Sequence, residues 1–241
     1  MMIRRFLASA IISMLGIGAA TAADDMRRYE LDVKDFNELI VIEGLRVDYR
    51  CNPDSAGYVS FVTSPDIASV LMFTNEKSRL EMQISTDGID YDNLPLINVY
   101  SRFLSKVENS GDSLVRVLSM NPTPNFKARL IGNGSLAVHG IDATNLDGSL
   151  DTGNGTLTLY GKATKAKYTL VGTGSIQADD LEADEVKCSL LGTGFIGCYP
   201  VSSLNVIGAS GKVYHKGNPT IKNRSLGIKI IAIDEDSVER K

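Results

Sequence analysis

Leu130-Ile131-Gly132-Asn133-Gly134-Ser135-Leu136-Ala137-Val138 is a phrase that the chain says again, with small changes, along its C-terminal half. Its Gly-x-Gly centre returns at Gly153-Asn154-Gly155, Gly172-Thr173-Gly174 and Gly192-Thr193-Gly194, then in the degenerate form Ala209-Ser210-Gly211. The last glycines are spaced by 21, 19, 20 and 17 residues. The flanks repeat as well. Leu136, Leu157, Ile176, Ile196 and Val213 stand two residues after the last glycine, and Val138, Leu159, Ala178, Cys198 and His215 stand four after. Leu130, Leu170, Leu190 and Ile207 stand two before the first. Alternation with period two on both sides of a glycine corner describes two short strands that meet at a bend and share one buried face.

A unit of about 20 residues cannot bury that face alone, so successive units must stack at strand spacing, near 4.8 Å. The expected fold is all-β, a right-handed parallel β-helix, the hand following the crossover rule for parallel strands. Glycine suits the corner because a Cβ would strike the rung above or forbid a positive φ. The residues between the glycines are small and polar and are expected to form a hydrogen-bonding ladder outside the corner. Asp151 sits where the other units carry Leu or Ile, in the longest unit. An extra residue there would turn Leu150 inward and Asp151 outward.

Working outward, the N-terminal half is less regular. Phe36, Leu39, Val41, Leu45, Val47, Tyr49, Val59 and Phe61 alternate around Gly44 and a Pro53-to-Gly57 turn. Strands at Leu71–Phe73, Leu80–Ile84 and Ile97–Val99 are divided by breakers at Asp87-Gly88 and Asn93-Leu94-Pro95. The expected organisation is a signal peptide over 1–22, a less regular solenoid part over 23–125, a regular solenoid over 126–233 and a polar tail over 234–241. The boundary lies at the stiff Asn121-Pro122-Thr123-Pro124 turn.

The signal-peptide reading rests on Arg4-Arg5, an apolar run from Phe6 to Ala20 and a small-residue site at Ala20-Thr21-Ala22. Loss of residues 1–22 takes the formal charge from −4 to −6, which disfavours nucleic acid and anionic lipid. No later apolar run is long enough for a membrane helix, so the expected location is the periplasm or the cell surface. Cys51, Cys188 and Cys198 read as buried small side chains. Cys188 and Cys198 lie on strands that diverge from the Gly192–Gly194 bend, so no bridge between them is expected.

At these residues the chain resembles a known family. Phe36-Asn37-Glu38-Leu39-Ile40-Val41, the recurring Gly-x-Gly corners and Gly211-Lys212-Val213-Tyr214-His215-Lys216-Gly217-Asn218-Pro219 are similar to the head GIN domain family of auto-transporter adhesins, over about residues 30–233. The resemblance implies an exported β-helix of the cell envelope. It supplies no catalytic or ligand-binding residue to carry over.

Candidate chemistry is sparse. His139 should point outward and His215 inward on the last rung, without the converging ligands that zinc needs. The acidic run Asp179-Asp180-Leu181-Glu182-Ala183-Asp184-Glu185 reads as a solvated turn rather than a calcium site. The paired carboxylates of a polysaccharide-cutting β-helix are missing from the outward positions Ser135, Thr156, Ser175, Phe195 and Lys212 and from Ala137, Thr158, Gln177, Gly197 and Tyr214. Asp54-Ser55-Ala56, Asp112-Ser113-Leu114 and Asp236-Ser237-Val238 resemble acceptors of periplasmic O-glycosylation. The expected function is a non-enzymatic, cofactor-free module that binds a glycan or an envelope protein. The alternatives are a polysaccharide-active enzyme and a structural partner in an envelope complex. Phe195, Tyr199 and Tyr214, read as exposed aromatics on one side, are the candidate binding residues.

Overall fold

The protein is described by a computed structural model over residues 26–85 and 94–233, so the signal segment, the Asp87-Gly88 breaker, Asp236-Ser237 and the polar tail lie outside the described residues. The first part of the chain runs through β1 (Arg27–Asp32), β2 (Glu38–Ile42), β3 (Arg46–Cys51), β4 (Tyr58–Thr63), the helix α1 (Pro65–Val70), β5 (Leu71–Glu76) and β6 (Arg79–Ile84). It continues through β7 (Leu96–Ser101), β8 (Lys106–Ser110), β9 (Leu114–Ser119) and β10 (Thr123–Ile131). Then come the long strands β11 (Ser135–Asp151), β12 (Thr156–Gly172), β13 (Ser175–Gly192) and β14 (Phe195–Gly208), and last β15 (Gly211–His215), β16 (Thr220–Ser225) and β17 (Ile228–Ala232). All pair into one sheet that coils as a β-solenoid.

The predicted columns are its core. Leu130, Leu150, Leu170 and Leu190 pair in order along one wall. Leu136, Leu157, Ile176, Ile196 and Val213 do so along another. All nine are buried. Full burial of each such side chain is worth about 1.5–3 kcal/mol, against 0–1 kcal/mol for an exposed ion pair, so the apolar columns hold the stack and the surface charges decorate it.

At the corners the carbonyl of one rung occupies the place of a Cβ in the next. A Cβ on Gly192, whose φ is +147°, would lie 2.0 Å from the Gly172 oxygen, and one on Gly194 would lie 2.2 Å from the Gly174 oxygen. The polar residues between the glycines bond mainly to backbone, not to each other. Asn133 Oδ1 accepts from the Asn154 amide at 3.1 Å, and the Ser210 hydroxyl donates to the Gly192 carbonyl at 2.5 Å. The extra residue of the long unit is Thr152, at φ +64° in the corner itself. Leu150 is therefore buried, while Asp151 faces out and takes a 2.6 Å ion pair from Arg129.

Three expectations need correction. The N-terminal strands are continuous with the solenoid but do not stack in chain order. β2 lies between β6 and β8, and β3 between β7 and β9, so the β6–β7 rung sits outside the β2–β3 rung that precedes it in sequence. β5 then pairs antiparallel to β6, and β4 to both β7 and β1. Tyr29, Phe61 and Phe73 stack across this end at 5.3 and 5.8 Å. Antiparallel strands and rings close an edge that would otherwise template further pairing. Second, Ile207 does not continue the Leu190 column. It pairs with Ser189 on the outside, while Gly208 takes the place over Leu190. The short last unit forces this shift, and Ile228 packs 3.1 Å from where a Gly208 Cβ would be. Third, His215 points inward but is not on the last rung, because β17 pairs with β15 and adds a further one.

The geometry expected for the cysteines also fails, although all three are free thiols. The strands on either side of the Gly192–Gly194 corner are facing walls of the interior, and the Cys188 thiol meets Cys198 across it. The hydrogen bond with Cys198, and then burial, raise Cys188 well above the ordinary thiol range. Burial does the same to the neighbouring Tyr168 hydroxyl, which has no hydrogen-bond partner among the described residues. Since the thiolate is the reactive form, iodoacetamide should label only the half-buried Cys51 in the native protein, and Cys188 and Cys198 only after denaturation. Native labelling of Cys188 read by peptide mass mapping would contradict this core.

Candidate binding surfaces

The structure brings two of the three candidate aromatics together. Phe195 is 37% exposed, and its ring meets Tyr214 edge to face at 5.7 Å. The register explains the contact: Tyr214 stands over Gly197, which has no side chain to separate it from Phe195. Tyr199 lies elsewhere. β13 carries three residues, Asp179–Leu181, between the partners of Cys198 and Tyr199, so Tyr199 falls beyond the second corner, opposite Glu182. A Cβ on Gly217 would be 3.3 Å from its ring.

A second surface was not found from sequence. A groove of about 930 Å³ runs along the wall formed by β8, β10 and the second halves of β11 to β14. One outward column lines it from end to end: Arg79, Glu38, Lys106, Lys127, Asp147, Lys167, Lys187, Asn205 and Lys222, each paired with the next. At about 4.8 Å per strand the column is roughly 38 Å long. A second polar row, with Asn125, Asn145 and Ser203, runs beside it, and Asn145 donates to Asn125 at 3.0 Å. Between the rows lie the buried Phe126, Leu146, Ala166, Val186 and Leu204. The signal for this groove was present in the sequence as a lysine recurring near the repeat period, but it shows only once the register is known.

The family described as "Putative auto-transporter adhesin, head GIN domain" matches residues 35–219, most of the chain. The chain belongs to this head GIN domain family. Solved structures share the fold. A putative adhesin from Bacteroides fragilis aligns at TM-score 0.79 and 20% identity, covering 88% of this chain and 98% of that one. A putative lipid binding protein from Parabacteroides distasonis aligns at 0.67 and 21%, covering 86% and 96%. A putative adhesin from Parabacteroides merdae aligns at 0.64 and 17%, covering 86% and 96%. No curated protein matches.

The remaining polar candidates of this head GIN domain chain have structural partners. His139 faces out and stacks on Tyr160 at 4.3 Å. His215 is buried, with Nδ1 3.3 Å from the Lys216 carbonyl oxygen. The acidic run is not a loose turn but part of β13, with Leu181 and Ala183 buried. Its acids face lysines of the rung beside them: Glu182 lies opposite Lys162, and Glu185 pairs with Lys165 at 3.5 Å. Asp180 takes Lys216 at 3.0 Å. Among the described residues, no group of three or more His, Cys, Asp or Glu side chains is placed to hold a metal. Ser113, in one acceptor-like motif, is tied to the Gly44 carbonyl at 2.6 Å. Asp48, missed from sequence, is buried and held by Arg116 through bonds of 2.7 and 2.8 Å. Because Phe195 and Tyr214 lie outside the core columns and meet edge to face, replacing both by Ser should cost about 1 kcal/mol in urea unfolding. A loss of several kcal/mol would show that they belong to the fold's packing instead.

Proposed function

We propose that this head GIN domain chain is an exported, non-enzymatic binding module of the cell envelope that holds an extended glycan along its wall. The groove carries the reading: it is continuous over many rungs and lined by two parallel polar rows, the form expected of a site for a long polar chain. The signal-peptide reading of residues 1–22 supports export to the periplasm or cell surface. A binding rather than cutting role is supported by the state of the groove's carboxylates. Glu38, Asp147 and Glu185 are each engaged by a cation, at 2.8 Å from Arg79, 3.9 Å from Lys167 and 3.5 Å from Lys165, and do not face one another as an acid–base pair. The lipid-binding name of the Parabacteroides distasonis relative suits this surface less well, since an acyl chain would meet a charged column. A protein contact is the second reading, favoured by the exposed Phe195 with the half-buried Tyr214 against it.

Incubation of the purified exported chain with a panel of neutral and acidic polysaccharides tests the proposal. Retention of at least one glycan without new reducing ends is the expected result. New reducing ends would establish the enzyme alternative, and retention of no glycan would overturn the reading.

A further inference from the structure

The groove's charge is opposite to that of the chain. Its lining carries seven Lys or Arg side chains against three carboxylates, in a protein of formal charge −4. Part of that charge is used internally: Arg79 pairs with Glu38, Lys106 with Glu108, Lys165 with Glu185 and Lys167 with Asp147. Lys127, Lys187 and Lys222 have no ion pair among the described residues. All three stand in the one column, with Lys127 three ladder steps from Lys187 and Lys187 two from Lys222, roughly 14 and 10 Å. That spacing is about a Debye length, so the cations coexist without much repulsion. Nothing in the packing calls for them.

Their surroundings define what would meet them. Between Lys187 and Lys222 stands Asn205, a half-buried amide in the groove lining whose side chain carries both donor and acceptor groups suited to a hydroxyl. Asn125, Asn145 and Ser203 offer further donors and acceptors in the parallel row. Single-stranded nucleic acid fits poorly. Its bases seek exposed rings to stack on, whereas the one ring in the lining, Phe126, is 1% exposed. A polymer with spaced carboxylates and many hydroxyls fits both rows.

Resting on the reading above, we infer that the groove is specific for an acidic glycan of the polyuronate class, with its carboxylates at Lys127, Lys187 and Lys222 and its hydroxyls at Asn205 and the Asn125–Asn145 row.

Calorimetric titration of the exported chain with oligogalacturonate, its neutral methyl ester and oligothymidylate tests this. The acid oligomer should bind, and raising salt from about 50 to 200 mM should weaken it several-fold. The triple variant Lys127→Gln, Lys187→Gln and Lys222→Gln should lose about tenfold or more in affinity with unchanged thermal unfolding. The control variant Lys212→Gln, Lys229→Gln, which removes two charges on another wall, should stay within about twofold. Equal binding of the methyl ester, tighter binding of oligothymidylate, or equal losses in both variants would overturn the inference. If the methyl ester or a neutral glycan binds and the acid does not, the charge assignment fails while the binding-module reading stands. If nothing binds, both fail.

Discussion

At the Gly-x-Gly corners, backbone rests on backbone. A carbonyl oxygen from one rung lies where the next residue's Cβ would be, and only a residue without a Cβ lets the rungs approach to hydrogen-bonding distance there. The strands on either side depend on that contact, because their leucine and isoleucine columns bury their surface only if each rung lies directly over the last. The same constraint governs the outside. Once the rungs are in register, every outward position becomes a column about 4.8 Å apart from rung to rung. Residues with no relation in sequence become neighbours in a line.

That is how an acidic protein comes to carry a basic groove. Lys127, Lys167 and Lys187 recur near the repeat period, and stacking converts the recurrence into a stripe. The acids are distributed by the same rule, opposite lysines of adjacent rungs, so Asp142 meets Lys162 and Glu185 meets Lys165. Cross-rung pairs of this kind add little stability individually. They leave Lys127, Lys187 and Lys222 without an ion pair among the described residues, and stacking puts these three in one column.

The regular half was legible because its glycines and apolar residues report one constraint in two ways, and even the odd unit at Asp151 resolved through one added residue. What was not legible depended on distance across the fold. The sequence cannot show that β6–β7 stacks outside β2–β3, because both rungs carry the same alternating pattern and either order buries it. Counting outward from the Gly192 corner separated Cys188 from Cys198, since chain distance ignores that the two strands face each other. Tyr199 was grouped with Phe195 because the second corner, which β13 makes with three more residues than β14, has no glycine signal of its own in that rung. The groove stayed hidden for a related reason: a column crosses the chain at right angles, and charge patterning read along the chain does not see it.

The in-register ladder is tested most directly by a distance across it. With Cys51 replaced by Ser, spin labels at Lys106→Cys and Lys222→Cys stand at positions six ladder steps apart in the groove column. Double electron–electron resonance should give a single distribution centred near 29 Å, within the reach of the label arms. A distribution that is broad, multiple or centred beyond about 40 Å would show that the rungs do not stack in this register, and neither the core columns nor the groove would survive it.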